Sequence, residues 1–254
     1  MSTQLAPSTT RSGVRPLEGK TALVTGGSRG IGAAIVRRLT ADGAQIAFTY
    51  ASAKDQADAV AEATGALAMQ ADSSDHEAVR AAVSRTTEHF GGLDILVNNA
   101  GVSHIAPVED FPLEEFDRLI AVNVRGVFSA VQAAAPHLGQ GGRIITIGSV
   151  IVDRVPFPGA SVYALSKAAV AGFTRGLARE LGPRGITVNN VQPGPIDTDS
   201  NPDSGPYAKS LKELMPVGYY GKPADVASAV AYLASPEARF VTGTNWNIDG
   251  GTAV

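Results

Sequence analysis

The stretch Thr21-Ala22-Leu23-Val24-Thr25-Gly26-Gly27-Ser28-Arg29-Gly30-Ile31-Gly32 runs from a short apolar segment straight into a glycine-rich turn. Apolar residues then return at Ile31, Ile35 and Leu39. Residues 21–25 have strand composition, and the four-residue spacing that follows is that of an amphipathic helix. The alternation continues outward from there. Segments 44–49, 66–70, 94–97, 143–148 and 185–191 predict further strands. Between them Val79, Val83 and Thr87, and later Val226, Val230 and Leu233, keep helical spacing. Apolar strands separated by helices of this length require right-handed crossovers. The expected class is therefore α/β: one doubly wound domain, a mostly parallel sheet of about seven strands with helices on both faces.

Composition agrees and removes other classes. The 254 residues are 44% hydrophobic and 18% charged, enough for a core that buries roughly 70% of the unfolded surface without staples. The absence of cysteine excludes disulfides, thiolate metal sites and cysteine nucleophiles. The four histidines, His76, His89, His104 and His137, show no metal-ligand spacing, so no metal is expected; His104, just past a strand end, is the one that could face a substrate. A net charge of −3 with scattered Lys and Arg gives no footprint for nucleic acid or anionic membrane. No segment reaches the roughly 18 apolar residues that span a bilayer, so a cytoplasmic protein is expected. Residues 1–17 are rich in Ser, Thr, Pro and Arg and read as a flexible tail, with a single domain over 18–254.

In doubly wound sheets ligands lie beyond the carboxyl ends of the strands, where strand order reverses. The turn at Gly26, Gly30 and Gly32 sits in that place and departs from the G-x-G-x-x-G spacing. Its glycines allow a diphosphate close to the backbone, and the following helix offers free N–H groups; the alternative is a turn of purely structural purpose. The second strand then ends Phe48-Thr49-Tyr50-Ala51-Ser52-Ala53-Lys54, with no acid before Asp55. A carboxylate there would select ribose hydroxyls and repel a 2′-phosphate. Its absence, with Arg29, Ser52 and Lys54 nearby as charge-assisted donors, favours NADP(H) over NAD. The Rossmann-type cofactor site expected from these features includes Gly26, Ser28, Arg29, Gly30, Ile31, Gly32, Tyr50 and Ser52.

Ser149 follows the fifth strand, and Tyr163 and Lys167 stand four apart on a helix that Ser161 could cap. A phenol near pKa 10 is a poor acid at neutral pH. A neighbouring ammonium should lower that value, and Ser149 could hold a carbonyl oxygen by a second hydrogen bond. Tyr-x-x-x-Lys alone is weak: Tyr50 and Lys54 form a second copy, which starts at a strand end and has no serine upstream at matching distance.

Together the motifs resemble those of the short-chain dehydrogenase/reductase family from Leu17 to Val254. In order they are Thr25 to Gly32, Asn98-Asn99-Ala100-Gly101, Asn123, Ser149, Tyr163 with Lys167, Pro193-Gly194 and Ile248-Asp249-Gly250-Gly251. The gap of 14 from Ser149 to Tyr163 is one longer than in many relatives, which lengthens the loop through Pro156 and Pro158. The resemblance implies that Asp72 and Ser73 frame an adenine, that Asn99, Ala100 and Gly101 line the cleft, and that Lys167 also holds the nicotinamide ribose. It places Pro193, Gly194 and Ile196 beside the nicotinamide and Thr198 at its carboxamide. It makes Asn123, Ser149, Tyr163 and Lys167 the catalytic set, with Asn123 holding a relay water. The implied reaction is NADPH-dependent interconversion of a ketone or aldehyde and an alcohol, as in 3-oxoacyl reductases and general carbonyl reductases, with a homotetramer or homodimer as the assembly. Residues 196–220 read as a substrate lid with a helix around Tyr207 to Met215, and Ile151, Val155, Phe157 and Tyr219 could line an apolar pocket. The alternative left open is a nucleotide-binding regulator on the same fold, of the cyclic-di-GMP-binding, biofilm-dispersal type.

Overall fold

The alternation of strand and helix forms as expected in a computed structural model that describes residues 15–254. The strands are β1 (Thr21–Val24), β2 (Gln45–Tyr50), β3 (Leu67–Gln70), β4 (Ile95–Asn98), β5 (Arg143–Ile147), β6 (Thr187–Pro193) and β7 (Asn245–Ile248). They form one sheet in the order β3-β2-β1-β4-β5-β6-β7, every neighbouring pair parallel. The helices are α1 (Gly30–Ala41), α2 (Lys54–Thr64), α3 (His76–Phe90), α4 (Leu113–Ile120), α5 (Gly126–Ala134), α6 (Ser161–Leu181), α7 (Ala208–Glu213) and α8 (Pro223–Ala234).

Successive side chains of a strand point to opposite faces, and the core divides accordingly. Ala22, Val24, Ile95 and Val97 join Ile35, Leu39, Val226 and Val230 on the α1/α8 side. Leu23, Leu96 and Ile144 join Val79, Val83, Ala130 and Leu177 on the α3/α5/α6 side. Each fully buried Leu or Ile contributes about 1.5–3 kcal/mol, so both faces are strongly held. The chain leaves β1 toward β2 and β3, then returns to place β4 on the other side of β1, which opens a crevice at the carboxyl ends of β1 and β4.

Three details differ from expectation. The seventh strand is β7, whose sequence NWNI carries too little apolar character to stand out. Its asparagines face the buried amides of β6 rather than a greasy layer: Asn190 Nδ2 donates to Asn245 Oδ1 at 2.9 Å and Gln192 Nε2 to Asn247 Oδ1 at 2.7 Å. Second, Ser161 does not cap α6; it is the first helical residue, and Ala160 holds the cap position without a side-chain bond. Third, Leu17 is not tail, because it is buried and its N–H donates to the Asp42 carbonyl at 2.9 Å. Residues 1–14 of the expected tail lie outside the described residues.

The lid is a tied excursion. A bridge between Ile196 and Gly221 joins its two ends, and Ala208, Met215 and Tyr220 form a small core of its own.

Candidate active site

A cavity of about 600 Å³ occupies the crevice. The glycine turn forms its floor, because α1 begins at Gly30 with no side chain capping it and no acid in its first turn. Those first-turn N–H groups have no partner inside the helix. The turn is held closely against β4. A Cβ at Gly32 would stand 2.1 Å from the Gly26 carbonyl and 2.5 Å from Asn99 Nδ2. That amide donates to the carbonyls of Thr25 at 3.0 Å and Gly26 at 2.8 Å, so Asn99 fastens strand end to turn.

Of the residues expected at a cofactor, Gly26, Ser28, Arg29, Gly30, Ile31, Gly32, Tyr50, Ser52, Asp72, Ser73, Asn99, Ala100, Gly101 and Thr198 line this cavity. Others do not. The Ile196 side chain is buried in the α1/α8 core, so it turns away from the site. Pro193 and Gly194 lie outside the cavity wall, Gly194 pressed against Asp249, whose Cα would be 2.7 Å from an added Cβ. Lys54 is paired with Asp58 one helical turn on and is absent from the wall, so the β2 end offers Ser52, with Arg29 on the same wall. Sequence reasoning missed Arg118 and Val122, which also line the cavity. Their spacing of four, ending one residue before Asn123, was the available signal.

Ser149 opens a short helical turn, Val150–Val152, and its Oγ accepts from the Ile151 N–H at 3.3 Å. Lys167 is buried, its Nζ 5.9 Å from the Tyr163 ring centroid and 2.9 Å from the Ile147 carbonyl oxygen to which it donates. It packs against Gly101 of the cavity wall, where an added Cβ would be 3.3 Å from Nζ, while Lys167 and Tyr163 themselves stand outside that wall. Burial pushes the Lys167 ammonium down to about 8. Burial also raises the Tyr163 hydroxyl above its ordinary value, and the nearby Ser149 hydroxyl works in the opposite direction. This corrects the expected lowering by the ammonium. At Tyr163 the loss of water is the larger effect.

Asn123 lies in a π-helical turn, Ala121–Arg125, between α4 and α5. Its Oδ1 accepts from the Val102 N–H at 2.9 Å, and its Nδ2 donates to the Val102 carbonyl at 2.8 Å and Ser166 Oγ at 3.0 Å. The side chain is a strut between the β4 loop and α6.

The remaining candidates sort by contact. His104 Nδ1 is 3.7 Å from Glu115 Oε2 and its ring meets Phe111 edge-on, so it faces α4. Ile151 is buried, while Val155, Phe157 and Tyr219 are exposed. The lengthened loop after Ser149 docks through the Gly159 carbonyl, which accepts from Ala106 N–H at 3.1 Å. Among the described residues there is no metal-binding cluster and no helix long and apolar enough to cross a membrane.

The family model described as Enoyl-(Acyl carrier protein) reductase matches residues 26–253. The chain is 51% identical, over 91% of its length and 96% of the relative's, to the Cyclic-di-GMP-binding biofilm dispersal mediator protein of Escherichia coli (strain K12). It is 40% identical to the 3-oxoacyl-(acyl-carrier-protein) reductase FabG of Staphylococcus aureus, covering 91% of this chain and 97% of that one. A solved short chain dehydrogenase from Burkholderia cenocepacia J2315, in complex with NADP, superposes with a TM-score of 0.92 at 55% identity, covering 94% of this chain and all of that one. With nearly its whole length matched in sequence and in backbone, the chain belongs to the short-chain dehydrogenase/reductase family.

Proposed function

We propose that this oxidoreductase uses NADP(H) to interconvert a ketone or aldehyde and the corresponding alcohol. The observation that carries the proposal is the pair of half-buried Tyr163 and buried Lys167 on α6, with Lys167 packed against Gly101 in the wall of the glycine-floored cavity. The cavity fits a dinucleotide. Uncapped N–H groups of α1 suit a diphosphate, Asp72 and Ser73 stand where an adenine would be framed, and the wall at Tyr50 and Ser52 has no carboxylate to repel a 2′-phosphate. Arg29, exposed and on the wall of the same cavity as Ser52, supplies the charge for that phosphate. A relative of known structure that is 55% identical is in complex with NADP, which supports the same choice here.

When bound, the nicotinamide supplies the hydride. This chain's residues handle the oxygen and the proton. Ser149 donates a hydrogen bond to the substrate oxygen, and Tyr163, as a phenol protonated at neutral pH, gives up its proton as negative charge develops there. Lys167 steadies the resulting tyrosinate and the nicotinamide ribose, itself fixed by the Ile147 carbonyl. Asn123 braces α6 through Ser166 and keeps Lys167 in register. Tyr163→Phe should keep the fold and NADPH affinity and lose turnover by roughly 10²–10⁴-fold, measured as loss of nicotinamide absorbance on a ketone panel. Wild-type reduction by that variant would reject the assignment.

A second reading rests on the relative named for cyclic di-GMP, which is 51% identical to this chain. Separate titrations with NADPH and cyclic di-GMP distinguish a reductase from a nucleotide-binding regulator.

A homotetramer or homodimer is supported by the outer side of α6. Leu165, Ala168, Ala169, Gly172 and Gly176 are exposed there, beside an apolar groove of about 370 Å³ floored by Phe128 and Phe173.

A further inference from the structure

The turn that carries Ser149 is fastened at two points just beyond it. Asp153 Oδ2 accepts from Gln192 Nε2 and from Asn247 Nδ2, both at 2.9 Å. Gln192 is fully buried, and its Oε1 accepts from Asn190 Nδ2 at 3.2 Å, so the carboxylate ends a row of amides crossing β6 and β7. Arg154 Nη1 donates to the carbonyls of Thr252 at 2.9 Å and Val254 at 3.0 Å. Hydrogen bonds from a charged donor are worth about twice a neutral pair.

The segment Arg154 grips is a rigid turn. The Asp249 carboxylate accepts from the N–H groups of Gly251 at 3.0 Å and Ala253 at 2.9 Å, and Thr252 Oγ1 donates to the Asp249 carbonyl at 2.6 Å. Gly250 and Gly251 both have positive φ, +62° and +85°, and the lid lies directly on them. A Cβ at Gly250 would stand 2.7 Å from Val217 Cγ2, and one at Gly251 2.9 Å from Pro216 Cγ. The same turn backs Gly194. One six-residue segment, 249–254, therefore touches the lid, the Pro193-Gly194 step and, through Arg154, the serine turn.

We propose that Arg154 and Asp153 are positioning residues, Arg154 coupling the lid to Ser149 through the 249–254 turn and Asp153 anchoring the same serine turn to β6 and β7, so that seating a substrate under the lid sets the serine for the carbonyl oxygen. The coupling is reciprocal, since a lid moved off the glycines shifts the carbonyls that Arg154 holds. The inference rests on the proposed role of Ser149 in carbonyl reduction.

The test uses the full chain saturated with NADPH, as wild type, Arg154→Met, Asp153→Ala and Asp153→Asn. Amide hydrogen exchange over residues 205–218 reads the lid without requiring turnover, while kcat, KM and NADPH affinity read the site. Arg154→Met should speed lid exchange by about tenfold or more, as expected for losing a bond to a charged donor. Asp153→Ala should lower kcat by roughly 10- to 100-fold with NADPH affinity unchanged, as a misplaced catalytic group does. Asp153→Asn keeps an acceptor oxygen and should restore most of it. Unchanged lid exchange in Arg154→Met overturns the coupling. Wild-type kcat in both Arg154→Met and Asp153→Ala, or a parallel loss of NADPH affinity, overturns the positioning role. Faster lid exchange in a protein whose wild type reduces no carbonyl upholds the coupling and rejects the reductase function instead.

Discussion

Replacing Lys167 with Met isolates the cost of burying its charge. Lys167 is 6% exposed, its ammonium donates to the Ile147 carbonyl at 2.9 Å, and burial brings its pKa from 10.5 to about 8. Because the folded value lies below the unfolded one, the unfolded chain binds more protons between about pH 8 and about pH 10.5, and stability rises with pH across that window. At about 1.4 kcal/mol per unit the displacement is worth roughly 3 kcal/mol. That penalty is fully present below about pH 8 and relieved as pH climbs toward the unfolded value. Met has no charge to bury. The lost bond to Ile147 and the change in packing shift the variant by an amount independent of pH, and other titrating groups cancel in the difference. Urea unfolding of both proteins without nucleotide, from pH 7 to about pH 10, should show the variant's relative stability falling by roughly 2 kcal/mol. A flat or rising difference would refute the account of Lys167 as a buried, destabilised cation.

Two further substitutions probe the cavity. Gly32→Ala places a methyl 2.1 Å from the Gly26 carbonyl and 2.5 Å from Asn99 Nδ2, so the turn must open and lose the Asn99 bonds. Overpacking of this kind costs about 1–3 kcal/mol, and NADPH binding followed by fluorescence should weaken at least tenfold. Ser52→Asp restores the missing carboxylate at the β2 end. The ratio of NADPH to NADH affinity should fall by roughly 10-fold or more, from like-charge repulsion at the 2′-phosphate; an unchanged ratio would place that phosphate elsewhere.

How much of the site was legible follows from how local each signal is. The glycine turn, Asn99, Tyr163 and Lys167 are set by neighbours in sequence: a strand end, a helix start, a spacing of four. Arg118 and Val122 escaped because a helix face shows no preference for a cavity until another element closes it. The burial of the Ile196 side chain escaped for the converse reason. Its neighbours Pro193 and Gly194 suggested a cofactor wall, yet the bridge to Gly221 turns its side chain into the core. The sign of the Tyr163 shift was misjudged because adjacency shows a charge nearby, while burial depends on everything packed around it.

From its residues alone the chain determines a parallel α/β sheet, the turn at its first crossover and the types of side chain available for proton and hydride chemistry. These depend on periodicity, backbone freedom and intrinsic acidity, all properties of short segments. The tertiary structure decides which of those side chains share a cavity, which are spent as struts, and how the lid, the last turn and the serine are joined. Those outcomes depend on contacts between residues about a hundred positions apart, as in the bond from Arg154 to Val254, and on water excluded only once the whole fold has closed.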